Sequence, residues 1–419
     1  AVVFPESTED VSLLLRYASS MNIPVTARGG GVGYVGGCVP VRGGISLSLE
    51  RMNRILEISP EDGVAVVEPG VITADLQREA RALGWFYPPD PASRKECSIG
   101  GNIATNAGGP RCLKYGVTKA YVLGLTVVLA SGEVVECGGR THKNKTGFDL
   151  GDLFIGSEGM LGIVTRAILR IIPHPEAFGA LSASFPQFPL AAAAVQRILN
   201  SGHLPSALEI TDSFTLRAAR AYLGDSALPS GSRGHLIVEV DGRQAAVREE
   251  LDSLCALLEE CGATDILRAD TEEKAEAIWQ LRREFSYSLK ATGMTKLNED
   301  IVIPPGGPGG ILRGHEPGNG AGHRMLRPFR RRQHSHQHHG GRLRGRGEES
   351  PGGRLRGQAV PLGAGTRGHY HRGTRHRPGE GQMVPGSRGR RSLPPARTGQ
   401  IRPGPPEFAE SGQNGTPVT

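Results

Sequence analysis

The chain has 419 residues, room for two or three domains, and a net charge of +7. Nothing in it reads as a signal peptide or a transmembrane span, since the longest apolar stretches are of strand length. The six cysteines lie between Cys38 and Cys261 without CxxC or zinc spacing, which argues for reduced thiols in a cytoplasmic protein.

The chain opens on "AVVFP" without a Met, so an upstream segment is expected to be missing. Ser7 to Asp10, "STED", has the form of a capping box, and Val11, Leu14, Leu15 and Ala18 follow at helical spacing. "IPVTA" reads as a strand and runs into "RGGGVGYVGG", Arg28 to Gly37. Six glycines in ten residues fit neither a helix nor a ladder strand; they admit positive φ and let successive N–H groups converge on an anion. A phosphate-binding loop after a strand and an ordinary flexible turn both satisfy this stretch. No GK[ST] follows, which excludes a Walker loop. GxGxxG can be forced onto Gly31, Gly33 and Gly36, yet no acidic residue stands where a dinucleotide-binding βαβ unit needs one.

Short strands are expected at "GISLSL", "RILEIS" and "GVAVVEPG", then a helix over Thr73 to Leu83 stopped by Gly84. In the stretch that follows, Pro88, Pro89 and Pro91 stiffen the backbone. Gly100, Gly101, Gly108 and Gly109 let a flat ligand approach the main chain, and "NIATNA" between them suits one short helix. "YVLGLTVVLASGEVVEC" predicts a hairpin turning at Ser131–Gly132. "GIVTRAILRIIP" predicts a strand with Ile163, Thr165, Ala167, Leu169 and Ile171 on one face. From Glu176 the strand-like runs "ALSASF", "SALEI", "GHLIVEVDG" and "TDILRA" alternate with helices ending at Gly202 and Gly262, the pattern of an α+β cap. Further on, Trp279, Arg282 and Ser286 fall at helical spacing. By residue type alone Arg282 is a solvated helix-face charge.

Together "PVTARGGGVGYVGG", "EPGV", "PPDPASRKECSIGGNIATNAGGPRCLKYGVT" and "FIGSEGMLGIVT" resemble the PCMH-type FAD-binding oxidoreductases, near the glycolate oxidase FAD subunit and the FAD-dependent D-lactate dehydrogenases. The resemblance covers about residues 1–304. It implies an α+β protein: a two-subdomain FAD-binding domain over 1–175, a truncated FAD-linked oxidase cap over 176–304, and a tail over 305–419. It implies that Arg28, Gly29, Gly30, Gly31, Val32, Gly33, Gly36 and Gly37 cradle the FAD pyrophosphate. Pro88, Asp90, Ser93, Ile99, Gly100, Gly101, Asn106, Gly108 and Gly109 would line the flavin and its ribityl chain, with Gly116 in the same set. Glu158, Gly162 and Ile163 would lie on the adenine side. Some distant relatives carry a flavin-bonded His where Val32 stands, so the implied FAD is non-covalent. Arg282 would bind the carboxylate of a small 2-hydroxy acid, glycolate or D-lactate, with Ser286 and Lys296 assisting. Hydride would pass to the flavin; the downstream electron acceptor or partner subunit stays open. No nucleic acid and no transmembrane segment are implied.

The family also carries GHxGDGNxHxN and GEHG, supplying divalent-metal ligands and a catalytic His, and a final LNPGK-like segment. None is written here, so no catalytic or metal-ligating residue is assigned. The segment from Pro305 holds 20 Arg, 6 Glu and neither Lys nor Asp, a balance of +14 that leaves the preceding part at −7; it also holds 9 of the 13 His. Rich in Gly and Pro, it is expected to be disordered, and any nucleic-acid-binding arm could rest only on it. A one-base shift in reading changes its meaning. Arg330, Arg331, Arg332 and Gln333 then permit Gly-Asp-Gly-Asn, and His334 to His339 permit Ile-His-Thr-Asn-Ile-Met. Arg372 to Glu380 permit a run beginning Gly-Glu-His-Gly, and Glu407 to Gln413 permit one ending Leu-Asn-Pro-Gly-Lys. Three motifs in one frame and in family order point to a frameshift near Pro304–Pro305. The histidine cluster is then an out-of-frame image of a metal motif, and the chain as written is expected to be inactive or nearly so. The alternatives are a same-fold flavoprotein with other chemistry, and a globular domain with a basic nucleic-acid-binding tail.

Overall fold

The computed structural model describes residues 1–224, 228–229, 231–300 and 335–340, with the strands at 295–300 and 335–340 described by their backbone alone. The expected disorder of 305–419 lies, apart from 335–340, outside the described residues.

Strand β1 (Val2–Val3) leads to helix α1 (Thr8–Ser20), then β2 (Val25–Arg28) and β3 (Ile45–Ser48). The capping box forms: Ser7 Oγ accepts the Asp10 N–H at 3.1 Å and Asp10 accepts the Ser7 N–H at 3.1 Å. The three strands make a parallel sheet in the order β1-β3-β2. Val11 and Leu15 of α1 pack with Leu47, Leu49 and Met52.

β4 (Ile55–Ser59) and β5 (Val64–Val67) precede α2 (Thr73–Ala82) and β6 (Trp85–Phe86). Next come α3 (Ile99–Thr105), α4 (Cys112–Tyr115) and a 3-10 turn over Thr118–Tyr121. The hairpin β7 (Val122–Val128) and β8 (Val134–Gly138) follows, then α5 (Gly151–Phe154), β9 (Ile163–Arg170) and β10 (Ile172–Pro173). An antiparallel sheet, β4-β5-β9-β7-β8, presents Ala65, Val67, Leu125, Val127, Ala167 and Leu169 to one core with Leu76, Tyr87, Ile99 and Ile103. That core fixes α3 against the sheet, and α3 carries the glycines of the site. Gly84 stops α2 with φ +77°, as its type requires.

The second half alternates β11 (Ala177–Phe185), α6 (Phe188–Asn200), β12 (Ala207–Asp212), α7 (Ser213–Leu223), β13 (Gly234–Gly242), α8 (Gln244–Glu260), β14 (Asp265–Ala269) and α9 (Glu272–Ala291). The strands form one antiparallel sheet, β12-β13-β11-β14. Strand alternation divides its faces. Leu181, Ala183, Phe185, Leu236, Val238 and Val240 meet α6 and α8, whereas Ala180, Ala207 and Ile237 meet Ile278 and Trp279 of α9. β13 therefore turns His235, Glu239 and Asp241, which share its odd-numbered face, away from the larger core. Helix α7 was not foreseen, although Asp212 caps it through the Thr215 N–H at 2.9 Å and Gly224 follows it. β15 (Thr295–Asp300) pairs antiparallel with β16 (Ser335–Gly340).

Candidate functional site

Three stretches of glycine-bearing main chain meet around α3. Gly29 and Gly30 run against the segment that enters the helix. A Cβ on Gly29 would lie 2.5 Å from Ser98 Oγ, and one on Gly30 would lie 2.4 Å from the Glu96 carbonyl oxygen. Ser98 caps α3 by accepting the Gly101 N–H at 3.3 Å. Gly100 is equally pressed: its N–H donates to Pro69 O at 2.7 Å, and a Cβ there would meet Pro69 Cβ at 2.6 Å. At the other end of α3, Gly156 and Glu158 donate their N–H groups to Ile103 O and Ala104 O at 2.9 and 2.8 Å.

The loop itself is open. Gly31, Gly33, Gly36 and Gly37 are exposed, with Val32 half-buried, and Gly31 and Gly36 have φ of +71° and +72°. Arg28 ends β2 instead of joining the loop, and its guanidinium lies 3.9 Å from Glu50. Glu158, at φ +54°, brings its Oε2 to 3.4 Å from the Cβ position of Gly37, so the 156–159 turn closes on the loop. Asn106, at φ +46°, ends α3 and accepts the Lys119 N–H at 3.0 Å. Gly116, at φ +81°, ends α4. Gly162 and Ile163 face the β-sheet: a Cβ on Gly162 would meet Val127 Cγ1 at 2.6 Å, and Ile163 packs in the α1 core.

A second wall is formed by the buried Pro88, Pro89, Asp90 and Pro91, with Ser93 half-buried beyond them. Gln77 Nε2 ties this wall to α2 by donating to Tyr87 O at 3.2 Å and Pro89 O at 2.9 Å. Gly108 and Gly109 are buried beside it; a Cβ on Gly109 would lie 2.1 Å from Asp90 O. Burial pushes the Asp90 carboxyl up to about 6; the nearby Arg111 opposes this and Glu239 reinforces it. Burial also pushes the Tyr87 phenol far above its usual range, and its hydroxyl has no hydrogen-bond partner.

The cap meets this wall through ionised side chains. Arg111 donates Nε to Glu239 Oε1 at 2.7 Å and Nη2 to Oε2 at 3.1 Å. Glu239 also accepts from Trp279 Nε1 at 2.6 Å and Ser206 Oγ at 3.0 Å. Burial works to raise the Glu239 carboxyl, but Arg111, Trp279 and Ser206 outweigh it and hold it below its usual range. Lys114 pairs with Asp241, which also accepts the Tyr115 hydroxyl at 2.8 Å. Sequence reasoning passed over this cluster entirely.

Arg282 is 6% exposed, so it is not the solvated charge its type suggests. It lies in the buried stripe Ala275, Ile278, Trp279, Phe285 and Leu289 of α9, and its Nε donates to the buried Glu209 of β12. His235 Nε2 and Ser182 Oγ are 2.8 Å apart, and His235 Nδ1 is buried without a hydrogen-bond partner. Burial, then the charge of Arg282, push His235 down to about 4, so it is a neutral imidazole at ordinary pH. Ser286 is half-buried one turn beyond Arg282. Lys296 lies in β15, with its side chain outside the described residues.

Residues 1–138 match the FAD binding domain family, and residues 174–313 match the C-terminal domain of the FAD linked oxidases. The chain is 40% identical over 304 residues to glycolate oxidase subunit GlcD of Bacillus subtilis, covering 73% of this chain and 64% of that one. It is 35% identical over 304 residues to D-lactate dehydrogenase of Anaerostipes hadrus, covering 71% and 64%.

The chain belongs to the PCMH-type FAD-binding oxidoreductases.

It spans 64% of the length of these two relatives. The fold is shared with alkyldihydroxyacetonephosphate synthase at a TM-score of 0.64 and 20% identity, over 80% of this chain and 70% of that one. The site suits FAD on its own geometry. Gly29, Gly30, Gly100 and Gly109 let the segments around α3 pack where a Cβ would strike Ser98, Glu96, Pro69 or Asp90, and the open loop at Gly31 to Gly37 leaves main chain exposed. Among the described residues no three His, Cys, Asp or Glu side chains form a metal-binding group, and no helix is long and apolar enough to cross a membrane.

Proposed function

We propose that the chain is an FAD-dependent oxidoreductase of the D-2-hydroxy acid dehydrogenase type, its substrate glycolate or D-lactate and its product the 2-oxo acid. The observation that carries the reading is the pair of side-chain-free backbones at Gly29–Gly30 and Gly100–Gly101 in a chain whose first 138 residues match an FAD binding domain. Backbone N–H groups of the 28–37 loop would hold the pyrophosphate. The Pro88–Ser93 and Ile99–Gly109 stretches would line the rings, and Glu158 to Ile163 the adenine side. Bound non-covalently, FAD would supply the two-electron acceptor for the C2 hydride. We assign domains to 1–175, 176–304 and 305–419.

Arg282 is the proposed carboxylate ligand. Its burial removes competing water, and the ion pair with Glu209 fixes the plane of its guanidinium. Ser286 and Lys296 are proposed to assist. The family's divalent-metal motif is missing from the written sequence, and the described residues offer no substitute for it, so no step is routed through a metal. The FAD-linked oxidase match stops at residue 313 of 419, which supports a frame slip near Pro304–Pro305. Six free thiols support the cytoplasmic assignment.

Two experiments test this reading. A flavin absorption spectrum of the purified chain after FAD addition tests the cofactor; an unchanged free-FAD spectrum contradicts it. Dye-coupled oxidation of D-lactate or glycolate is expected to be negligible for the chain as written and to appear once one base restores the frame. Robust turnover by the written chain, or an unbroken gene sequence across codons 300–310, contradicts the frame slip.

A further inference from the structure

The ion pairs between α4 and β13 do more than join two halves of the protein. Glu239 and Asp241, two apart on β13, face Arg111 at the N-cap of α4 and Lys114 within it, so carboxylates and cations meet in register. The chain of contacts then continues past Arg111 into the first half. Arg111 Nη1 lies 3.7 Å from Asp90 Oδ2, and the Arg111 N–H reaches Asp90 Oδ1 at 3.4 Å. Asp90 in turn touches the glycine backbone, since a Cβ on Gly109 would sit 2.2 Å from its Oδ1.

The distances show how the guanidinium is divided. Glu239 receives two N–H groups at 2.7 and 3.1 Å, while Asp90 is left with one long hydrogen bond and a cation beyond hydrogen-bond range. Both carboxylates are buried, at 1% and 7% exposure, so neither has water to make up the difference. A buried carboxyl with weak compensation favours its protonated form. The charged groups that bear on Asp90 are Arg111, Glu239 and Arg94, and Asp241 bears on Arg111 from behind. All but Arg94 belong to this cluster. Burial raises the Asp90 carboxyl first, and how much of Arg111 the cap takes then moves it further.

We propose that Glu239 and Arg111 are positioning residues for Asp90, through which engagement of the cap sets the charge of the Pro88–Pro91 wall beside the flavin. The last link rests on the FAD reading above; the link from cap to Asp90 does not. With the cap engaged, Arg111 is drawn to Glu239 and Asp90 keeps its proton up to a raised midpoint near 6. Were Glu239 uncharged, Arg111 would turn to Asp90 and favour the carboxylate. A neutral wall and an anionic wall stabilise the electron-rich reduced flavin differently, so the relay reaches the cofactor's chemistry without touching substrate.

The test uses the full chain labelled with carboxyl-carbon-13 aspartate, with the Asp90 resonance assigned by its loss in Asp90→Asn. Its titration is followed with and without FAD, alongside the absorption spectrum of the bound flavin. The Asp90 midpoint is expected near 6. Glu239→Gln should lower it by about one pH unit. Ser206→Ala, which removes one hydrogen bond to Glu239 and leaves that carboxylate to draw harder on Arg111, should raise it by less than about one pH unit and serves if Glu239→Gln does not fold. Arg111→Lys, which keeps the charge but loses the planar fork, should change the midpoint while retaining a titration. In the FAD-loaded chain the flavin spectrum should show an inflection at the same midpoint, absent in Asp90→Asn. An Asp90 midpoint that neither Glu239→Gln nor Ser206→Ala moves overturns the relay. A bound flavin blind to the Asp90 titration overturns its last link. A chain that takes up no FAD overturns the cofactor reading alone, because the aspartate signal reads the relay without it.

Discussion

Around α3 the close packing is of main chain: Gly29, Gly30, Gly100 and Gly101 contribute no side chains, and protein neighbours stand where a Cβ would be. On the cap face it is the reverse. β13 and α9 present Glu239, Asp241, His235 and Arg282, all buried, and each is held by a partner of opposite charge or by a hydrogen bond. The difference teaches where each surface is vulnerable. A main-chain cradle fails when an atom is added. A charged face fails when a charge is removed, because the abandoned partner stays buried.

The comparison can be broken from the cap side first. Glu239→Ala leaves the half-buried Arg111 beside a void and should cost about 3 kcal/mol, read as a lower urea midpoint with unchanged slope. A loss below about 1 kcal/mol would place that pair among surface pairs and not in a buried clasp. Acid should act on the same face through His235. Its pKa is lowered in the fold to about 4 from 6.5, so it contributes stability above 6.5 that is lost as pH falls through that window. The contribution is about 3 kcal/mol at neutral pH, and His235→Gln should flatten the acid limb of a melting profile between those values.

From the main-chain side, Gly109→Ala places a methyl against Asp90 and should cost about 1–3 kcal/mol while weakening FAD uptake more than distant substitutions of equal cost. Equal FAD affinity at reduced stability would separate Gly109 from the cofactor wall. The smallest expected effect lies outside both surfaces. Ser7→Ala removes the α1 cap and should cost about 1 kcal/mol with no change in FAD affinity.

The same contrast explains what was legible beforehand. Glycine at positive φ, the Ser7 box and the turn at Gly132 are local demands, so they are written locally: Gly31, Gly36, Gly84 and Gly132 all have positive φ. The strand alternation over Ile163 to Ile171 gives buried positions throughout, but a register shift against β7 splits them: Ile163 joins the α1 core, whereas Val164, Ala167, Leu169 and Ile171 join the sheet core. Arg111 and Glu239 are 128 residues apart, and Arg282 and Glu209 are 73 apart. No spacing rule joins them, because their contact exists only once the cap sheet has formed and docked. One signal was present for Arg282. It falls in phase with Ile278, Trp279, Phe285 and Leu289, and a charge inside an apolar stripe must find a buried partner. α7 was missed because "SFTLRAARAYL" spreads its apolar positions among arginines, although Asp212 and Gly224 mark its ends.

The account stands on the glycine backbones around α3 accepting a dinucleotide. The direct measurement is a titration of the purified full chain with FAD, followed by gel filtration and a visible spectrum. The account predicts saturable uptake of one FAD per chain that survives the column, and loss of that uptake in Gly30→Val. A polypeptide that elutes colourless from excess FAD, or a Gly30→Val variant that binds it as tightly as the parent, contradicts the account.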